Sequence, residues 1–147
     1  MPTKYIKTGF EDRVIRSDGF YKILLNGKEA GFNLDLRLNY YRGLPLSSVE
    51  TLELTIDGKK IPETNMFAEL NGKVFSIGHL KELFMEYWGI KSVMHLRVYN
   101  YNLAPGAHDV ELTLLLRRPY MMFGPGEHGA IDSSASKQLT LAEGREI

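Results

Sequence analysis

Two short stretches carry side chains whose types and spacing could do chemistry. The first is Gly124-Pro125-Gly126-Glu127-His128-Gly129, which follows Tyr120, Met121, Met122 and Phe123. Glycine lets a backbone approach a ligand closely and a carboxylate can orient an imidazole, so Glu127 and His128 could bind a small molecule or exchange a proton with it. A solvated loop histidine would have the same neighbours. The loop lacks the Lys-Ser/Thr ending of a phosphate loop, and no strand-helix-strand context surrounds it, which argues against nucleotide binding. The second stretch is Tyr40-Tyr41-Arg42-Gly43, two phenols and a guanidinium just before Pro45. Such a group can stack on a sugar or aglycone ring, clamp a carboxylate or anchor a protein interface. A strand-end cluster with Arg42 paired to a surface acid is the plainer alternative.

The remaining candidates are weaker. His79, His95, His108 and His128 are scattered, with no HxH or HExxH spacing, so this chain is expected to build no metal site of its own. His95 is expected on the outward face of a strand, His108 beside Asp109 at a strand entry, and His79 in a turn. No Ser-His-Asp spacing or nucleophile elbow is present. Carboxylate pairs of the glycosidase kind are neither supported nor excluded by sequence.

The elements that must position these residues read as short strands. Phe20 to Leu25 runs straight into Asn26-Gly27, a favoured type I′ turn pair. Phe32, Leu34, Leu36 and Leu38 alternate with Asn33, Asp35, Arg37 and Asn39, which predicts a half-buried strand with one wet face. Leu52, Leu54 and Ile56 repeat the pattern before Asp57-Gly58, and Met66 to Leu70 should form a hairpin with Lys73 to Ile77 across Asn71-Gly72. Three Asx-Gly turns between alternating runs favour an all-β, antiparallel β-sandwich built from hairpins, with at most one short helix.

Residues 78–89 are ambiguous, because Leu80, Leu83, Phe84, Tyr87 and Trp88 fall at helical spacing while Phe84 to Trp88 is rich in strand formers. The favoured reading is one helical turn near His79 to Leu83, then a strand through Trp88 that completes a hairpin with Val93 to Tyr99. Val110, Leu112, Leu114 and Leu116 then alternate along a strand that delivers the glycine-rich loop to an edge of the domain, the ladder ending before Gly124. Residues 1–130 are expected to form the single domain. The segment after it, residues 131–147, has weak periodicity and is expected to be an extended or partly disordered tail.

Composition narrows the function. The 147 residues hold 18 basic and 18 acidic side chains, which cancel, so no electrostatic case exists for nucleic acid or an anionic membrane. Cysteine is absent, which removes thiolate metal sites and cysteine nucleophiles and gives no support to an oxidising compartment. With no apolar signal-like segment or spanning run, a soluble cytoplasmic protein is expected.

Tyr40 to Glu50 (YYRGLPLSSVE), the following LELTIDGKKIP, the Trp88-Gly89 corner and the closing FGPGEHG together resemble the small β subunit of bacterial C-glycoside deglycosidases. The resemblance runs from about Val14 to Gly129. It implies a β-sandwich-like subunit paired with a larger, metal-dependent barrel-type α subunit that carries the base and a divalent metal, Mn2+ in the simplest case, with no cofactor on this chain. It further implies a 3-oxo-C-glycoside substrate, including flavonoid C-glycosides, and lyase chemistry. A ketone at C3 acidifies the C2 proton, and its removal allows the carbon-bonded aglycone to leave C1 by β-elimination. Under this resemblance Tyr40, Tyr41, Arg42, Phe123, Glu127 and His128 are candidates for the subunit interface or the pocket mouth.

The rival from another class is a stand-alone carbohydrate-binding β-sandwich, in which Tyr40, Tyr41, Tyr99 and Tyr101 would form a stacking platform. An enzyme acting alone is the weakest reading, because no nucleophile, metal cluster or cofactor motif stands out.

Overall fold

The computed structural model describes residues 3–6, 13–38, 43–124 and 127–146, and for residues 3–6, 118–124 and 127–129 it describes the backbone alone. Thirteen strands follow one another: β1 (Thr3–Ile6), β2 (Ile15–Leu25), β3 (Lys28–Arg37), β4 (Leu44–Pro45), β5 (Val49–Ile56), β6 (Lys59–Lys60), β7 (Met66–Leu70), β8 (Lys73–Ser76), β9 (Tyr87–Trp88), β10 (Val93–Tyr99), β11 (Gly106–Gly124), β12 (Glu127–Asp132) and β13 (Ala135–Glu146). The fold is all-β. Its helical content includes the short 3₁₀ turns Leu46–Ser48, Glu63–Asn65 and Ile77–Glu82, where at most one short helix was expected.

The Asx-Gly pairs make the turns that their sequence predicts. Asn26 and Gly27, Asp57 and Gly58, and Asn71 and Gly72 all have φ between 51° and 81°, the left-handed values that a type I′ turn needs at both central positions. Each turn folds a strand back on its predecessor: β3 on β2, β6 on β5, and β8 on β7. The main sheet then runs β1-β12-β11-β13-β2-β3-β10-β7-β8, with β5 on the other edge of β11. It curls on itself, so that Phe32, Leu34 and Leu36 of β3, Leu54 and Ile56 of β5, Leu96 and Val98 of β10, and Leu112 and Leu114 of β11 meet in one core.

Three local expectations are corrected. The supposed wet face of β3 is not wet throughout: Asn33 is fully buried, because it lies between β2 and β10 and donates to the Gly19 carbonyl and to Asp35 Oδ1. Trp88 does not lead into a hairpin with β10. It pairs instead with Leu44 of β4, while Ser92 closes a turn on the Gly89 carbonyl and β10 pairs with β3 and β7. The ladder of β11 continues to Gly124, with β12 paired against it through two register shifts, so Glu127 and His128 lie on a strand and not on an irregular loop. Those register shifts absorb the glycines that seemed to forbid pairing.

The segment expected as a tail is β13. It pairs antiparallel with Gly106 to Leu112 of β11, then parallel with Tyr21 to Leu24 of β2 after a register shift beyond Ala142. Leu139 and Leu141 join the core. At its far end the Glu146 carboxylate accepts the backbone N–H groups of Asn26 and Gly27, which fixes β13 to the β2–β3 turn. Among the described residues, no helix is long and apolar enough to cross a membrane.

Candidate functional site

Register brings the end of β3 and the β11–β12 pair that carries Phe123, Glu127 and His128 to the same end of the molecule. At this end Arg37 of β3 opposes Val93 of β10, Val49 of β5 opposes Leu116 of β11, and Leu70 opposes Lys73 beside the β7–β8 turn. Tyr40, Tyr41 and Arg42 lie outside the described residues, but the chain that carries them leaves β3 and enters β4 here. Gly43 follows at once, and its Cα is so close to β9 that an added Cβ would stand 3.1 Å from the Trp88 carbonyl oxygen. Phe123 falls on the distal part of β11, while Glu127 opposes Gly124 and His128 opposes Met122 on β12. For these three only the backbone is described, so what their side chains touch is outside the described residues.

The corner beside the first motif is well fixed. Trp88 is buried and its indole N–H donates to the Ser92 carbonyl at 3.1 Å. The Leu46 and Ser47 N–H groups donate to the carbonyls of Glu86 and Leu83, and Asn71 Nδ2 donates to the Tyr87 carbonyl at 2.8 Å. A rigid corner is what a site made from a short motif requires.

The outward face of β3, β10 and β7 holds a polar group that the sequence did not mark. His95 Nδ1 lies 2.5 Å from Asp35 Oδ1, on which Asn33 also donates, and Arg97 Nη2 is paired with Glu69. Arg97 is 6% exposed, and its Nε and Nη1 have no partner. The Asp35 carboxylate orients the His95 imidazole by engaging Nδ1. The five residues lie up to 64 positions apart in the chain, and only the pairing of β10 between β3 and β7 brings them together. No spacing along the chain could have shown it.

His108 is at the opposite end, near the start of β11 as its neighbours suggested, but it is not merely a strand-entry residue. It is buried in the wall of a cavity of about 440 Å³ lined also by Asp57, Lys59, Asn100 and Tyr101. Nδ1 faces Asp57 Oδ2 and Nε2 faces the Ala104 carbonyl, each at 2.6 Å, so each nitrogen has an acceptor before it and the geometry favours the protonated ring. Burial opposes that charge, but the Asp57 carboxylate and the Ala104 carbonyl outweigh it and hold His108 above the ordinary histidine range. The same hydrogen bond, with one from the Asp109 N–H, holds the Asp57 carboxyl below its usual value. A ring with both nitrogens engaged is a clamp and not a base. His79 lies exposed in the 3₁₀ turn Ile77–Glu82.

Two of the tyrosines named for a stacking platform do not offer open faces. Tyr99 is half-buried and packs against the Phe67 ring at 5.8 Å, and Tyr101 packs against Phe32 at 6.1 Å and joins the core edge. Tyr40 and Tyr41 are outside the described residues. Among the described residues no three His, Asp or Glu side chains stand close enough together to hold a metal ion.

Comparison with known proteins bears on the same stretch. The family model for the C-glycoside deglycosidase beta subunit matches residues 10–120. A 3'-dehydrocarminate deglycosidase beta subunit from Microbacterium sp. is 30% identical over 134 residues, covering 91% of this chain and 89% of that protein. C-glycoside deglycosidase beta subunits from Eubacterium cellulosolvens and Arthrobacter globiformis are 32% identical over 113 residues and 30% identical over 115 residues. Each covers 76% of this chain, and the matches span 77% and 86% of those two proteins. This chain therefore belongs to the C-glycoside deglycosidase beta subunit family.

Proposed function

We propose that this chain is the β subunit of a heteromeric lyase that cleaves the carbon–carbon glycosidic bond of 3-oxo-C-glycosides, with the base and a divalent metal on a larger barrel-type α subunit. The observation that carries the reading is the family match over residues 10–120, reinforced by a relative covering 91% of the chain. That relative is named for a 3'-dehydro substrate, in keeping with a sugar already oxidised to a ketone. A C3 ketone acidifies the C2 proton. Its removal leaves an electron pair that forms the C1–C2 double bond as the aglycone carbon departs from C1 and takes up a proton. On the partner, a divalent ion such as Mn2+ would supply positive charge at the ketone oxygen.

This chain's own part is assembly and shaping. Asp35 is engaged with His95 and Asp57 with His108, and among the described residues no three such side chains form a ligand set. No step is assigned to a metal on it. Tyr40, Tyr41, Arg42, Phe123, Glu127 and His128 would line the mouth of the shared pocket or the subunit contact, a reading supported by their motif character and by the end of β3 and the β11–β12 pair lying at one end.

The test is co-expression with a barrel protein of the proposed α-subunit type, then size-exclusion chromatography and aglycone release from a 3-oxo-C-glucoside with added manganese. A stable complex that releases aglycone, with neither chain active alone, is the expected result. A monomer that ignores the barrel protein overturns the reading. Full activity and unchanged assembly after both Arg42→Ala and His128→Ala would remove those residues from the site.

A further inference from the structure

Of the six large apolar side chains exposed among the described residues, four lie within seven positions: Phe84 at 69%, Met85 at 79%, Tyr87 at 58% and Ile90 at 42%. Chance scatter of surface apolar groups needs no explanation, but a cluster this dense does. The backbone beneath it is not loose. The carbonyls of Leu83, Glu86 and Tyr87 accept from Ser47, Leu46 and Asn71, Trp88 is anchored in the core, and Lys73 pairs with Glu86 at 2.7 Å. Main chain and flanking polar groups are thus satisfied while the apolar tips point to water. The arrangement costs apolar exposure without gaining any contact within this chain.

We infer that the Phe84–Ile90 corner is the anchor by which this chain docks on the larger subunit of the deglycosidase. The inference rests on the subunit reading and goes beyond it by naming the surface. Phenylalanine, tyrosine and methionine are the types enriched at interface centres, and a corner held in place beforehand loses little freedom on binding. The four side chains expose roughly 500 Å², most of the ~800 Å² that one partner of a stable complex buries. The remainder is at hand, since β4, which pairs with this corner through Leu44 and Trp88, is entered directly from Arg42 and Gly43. A pocket on the larger subunit would be apolar and unlike the polar rim marked by Lys73 and Glu86.

The experiment compares wild type, the double variant F84D/M85D, and Leu25→Asp as an exposed apolar control in a different strand. Each is titrated against the barrel protein that co-expression tests as the α subunit, with circular dichroism melting of each free chain as the check on folding. The expected result is at least 100-fold weaker association for F84D/M85D, with an unchanged melting temperature and with Leu25→Asp binding as wild type does. If wild type forms no complex with the barrel protein, the subunit reading fails. If wild type binds and F84D/M85D binds equally well, the subunit reading stands and the docking surface is wrong. Self-association of the free chain that F84D/M85D abolishes, with heteromer affinity unchanged, also overturns the inference and assigns the corner to a second copy of this chain. If F84D/M85D melts early, the smaller change Tyr87→Ser decides by the same readout.

Discussion

The Asp57 carboxylate lies 2.6 Å from Nδ1 of His108 and accepts the Asp109 N–H at 2.8 Å, so one turn residue holds the start of β11 by side chain and backbone together. Asp57 is in turn held by its own N–H, which donates to the Asp109 carbonyl. Charge on both partners makes this clamp dependent on pH.

His108 has a folded-state pKa above its ordinary 6.5, so its contribution to stability is fully present below pH 6.5 and is lost as pH rises through the raised value. Asp57 is shifted the other way, so its contribution is present above its ordinary 3.8 and is lost as pH falls through the lowered value. Wild type should therefore melt progressively earlier as pH rises above 6.5, and His108→Gln should lack that part of the decline. Melting temperatures across the range decide it. Parallel curves for the two proteins would show that His108 carries no such linkage.

Gly31 should tolerate no side chain. An added Cβ would stand 1.8 Å from the Val98 carbonyl oxygen, and its φ of 156° is unfavourable for other residues. Since that oxygen belongs to the backbone of β10, relief requires the β3–β10 ladder to part. Gly31→Ala is expected to cost on the order of 3 kcal/mol or more in a denaturant titration.

Arg97 should matter more for its bulk than for its charge. It is buried with Nε and Nη1 unpartnered, and Glu69 is partly hydrated. Arg97→Met, which keeps the packing, should change stability by about 1 kcal/mol or less, whereas Arg97→Ala should lose about 2–4 kcal/mol. Equal losses for the two variants would place the value in the ion pair.

Trp88 joins stability to assembly. Trp88→Ala should cost about 3–5 kcal/mol by opening a cavity beneath the exposed corner. Trp88→Phe should cost about 1–2 kcal/mol through smaller bulk and the lost hydrogen bond to Ser92. The Phe variant should still bind the larger subunit, measured at a temperature where it stays folded.

Much of the strand order was legible because local chemistry wrote it. Asn26-Gly27, Asp57-Gly58 and Asn71-Gly72 declare hairpins through residues that accept positive φ, and the alternation of Leu34, Leu36 and Leu38 declares a buried face. What stayed hidden depends on distant pairing. Asn33 reads as exposed until β2 and β10 flank it, and Trp88 reads as half of a hairpin until β4 takes its edge. In β13 the central apolar signal reduces to Leu139 and Leu141, too little to separate a core strand from a tail. For the candidate site, Tyr40–Arg42 and Glu127-His128 were legible as motifs, whereas the Asp35–His95 pair required strands 60 residues apart.

The position of β13 between β2 and β11 has a consequence for how the molecule is made. It is synthesised after both strands that it joins, so until it emerges from the ribosome β2 and the first half of β11 lack their partner along those edges. Residues 119 apart, Gly27 and Glu146, are then brought together in the closing step. Closure over so long a loop is slow, and unpaired strand edges invite pairing with other chains while it lasts. Mutations at Leu139 or Leu141 would therefore reduce the yield of native protein during synthesis more than the stability of protein already folded.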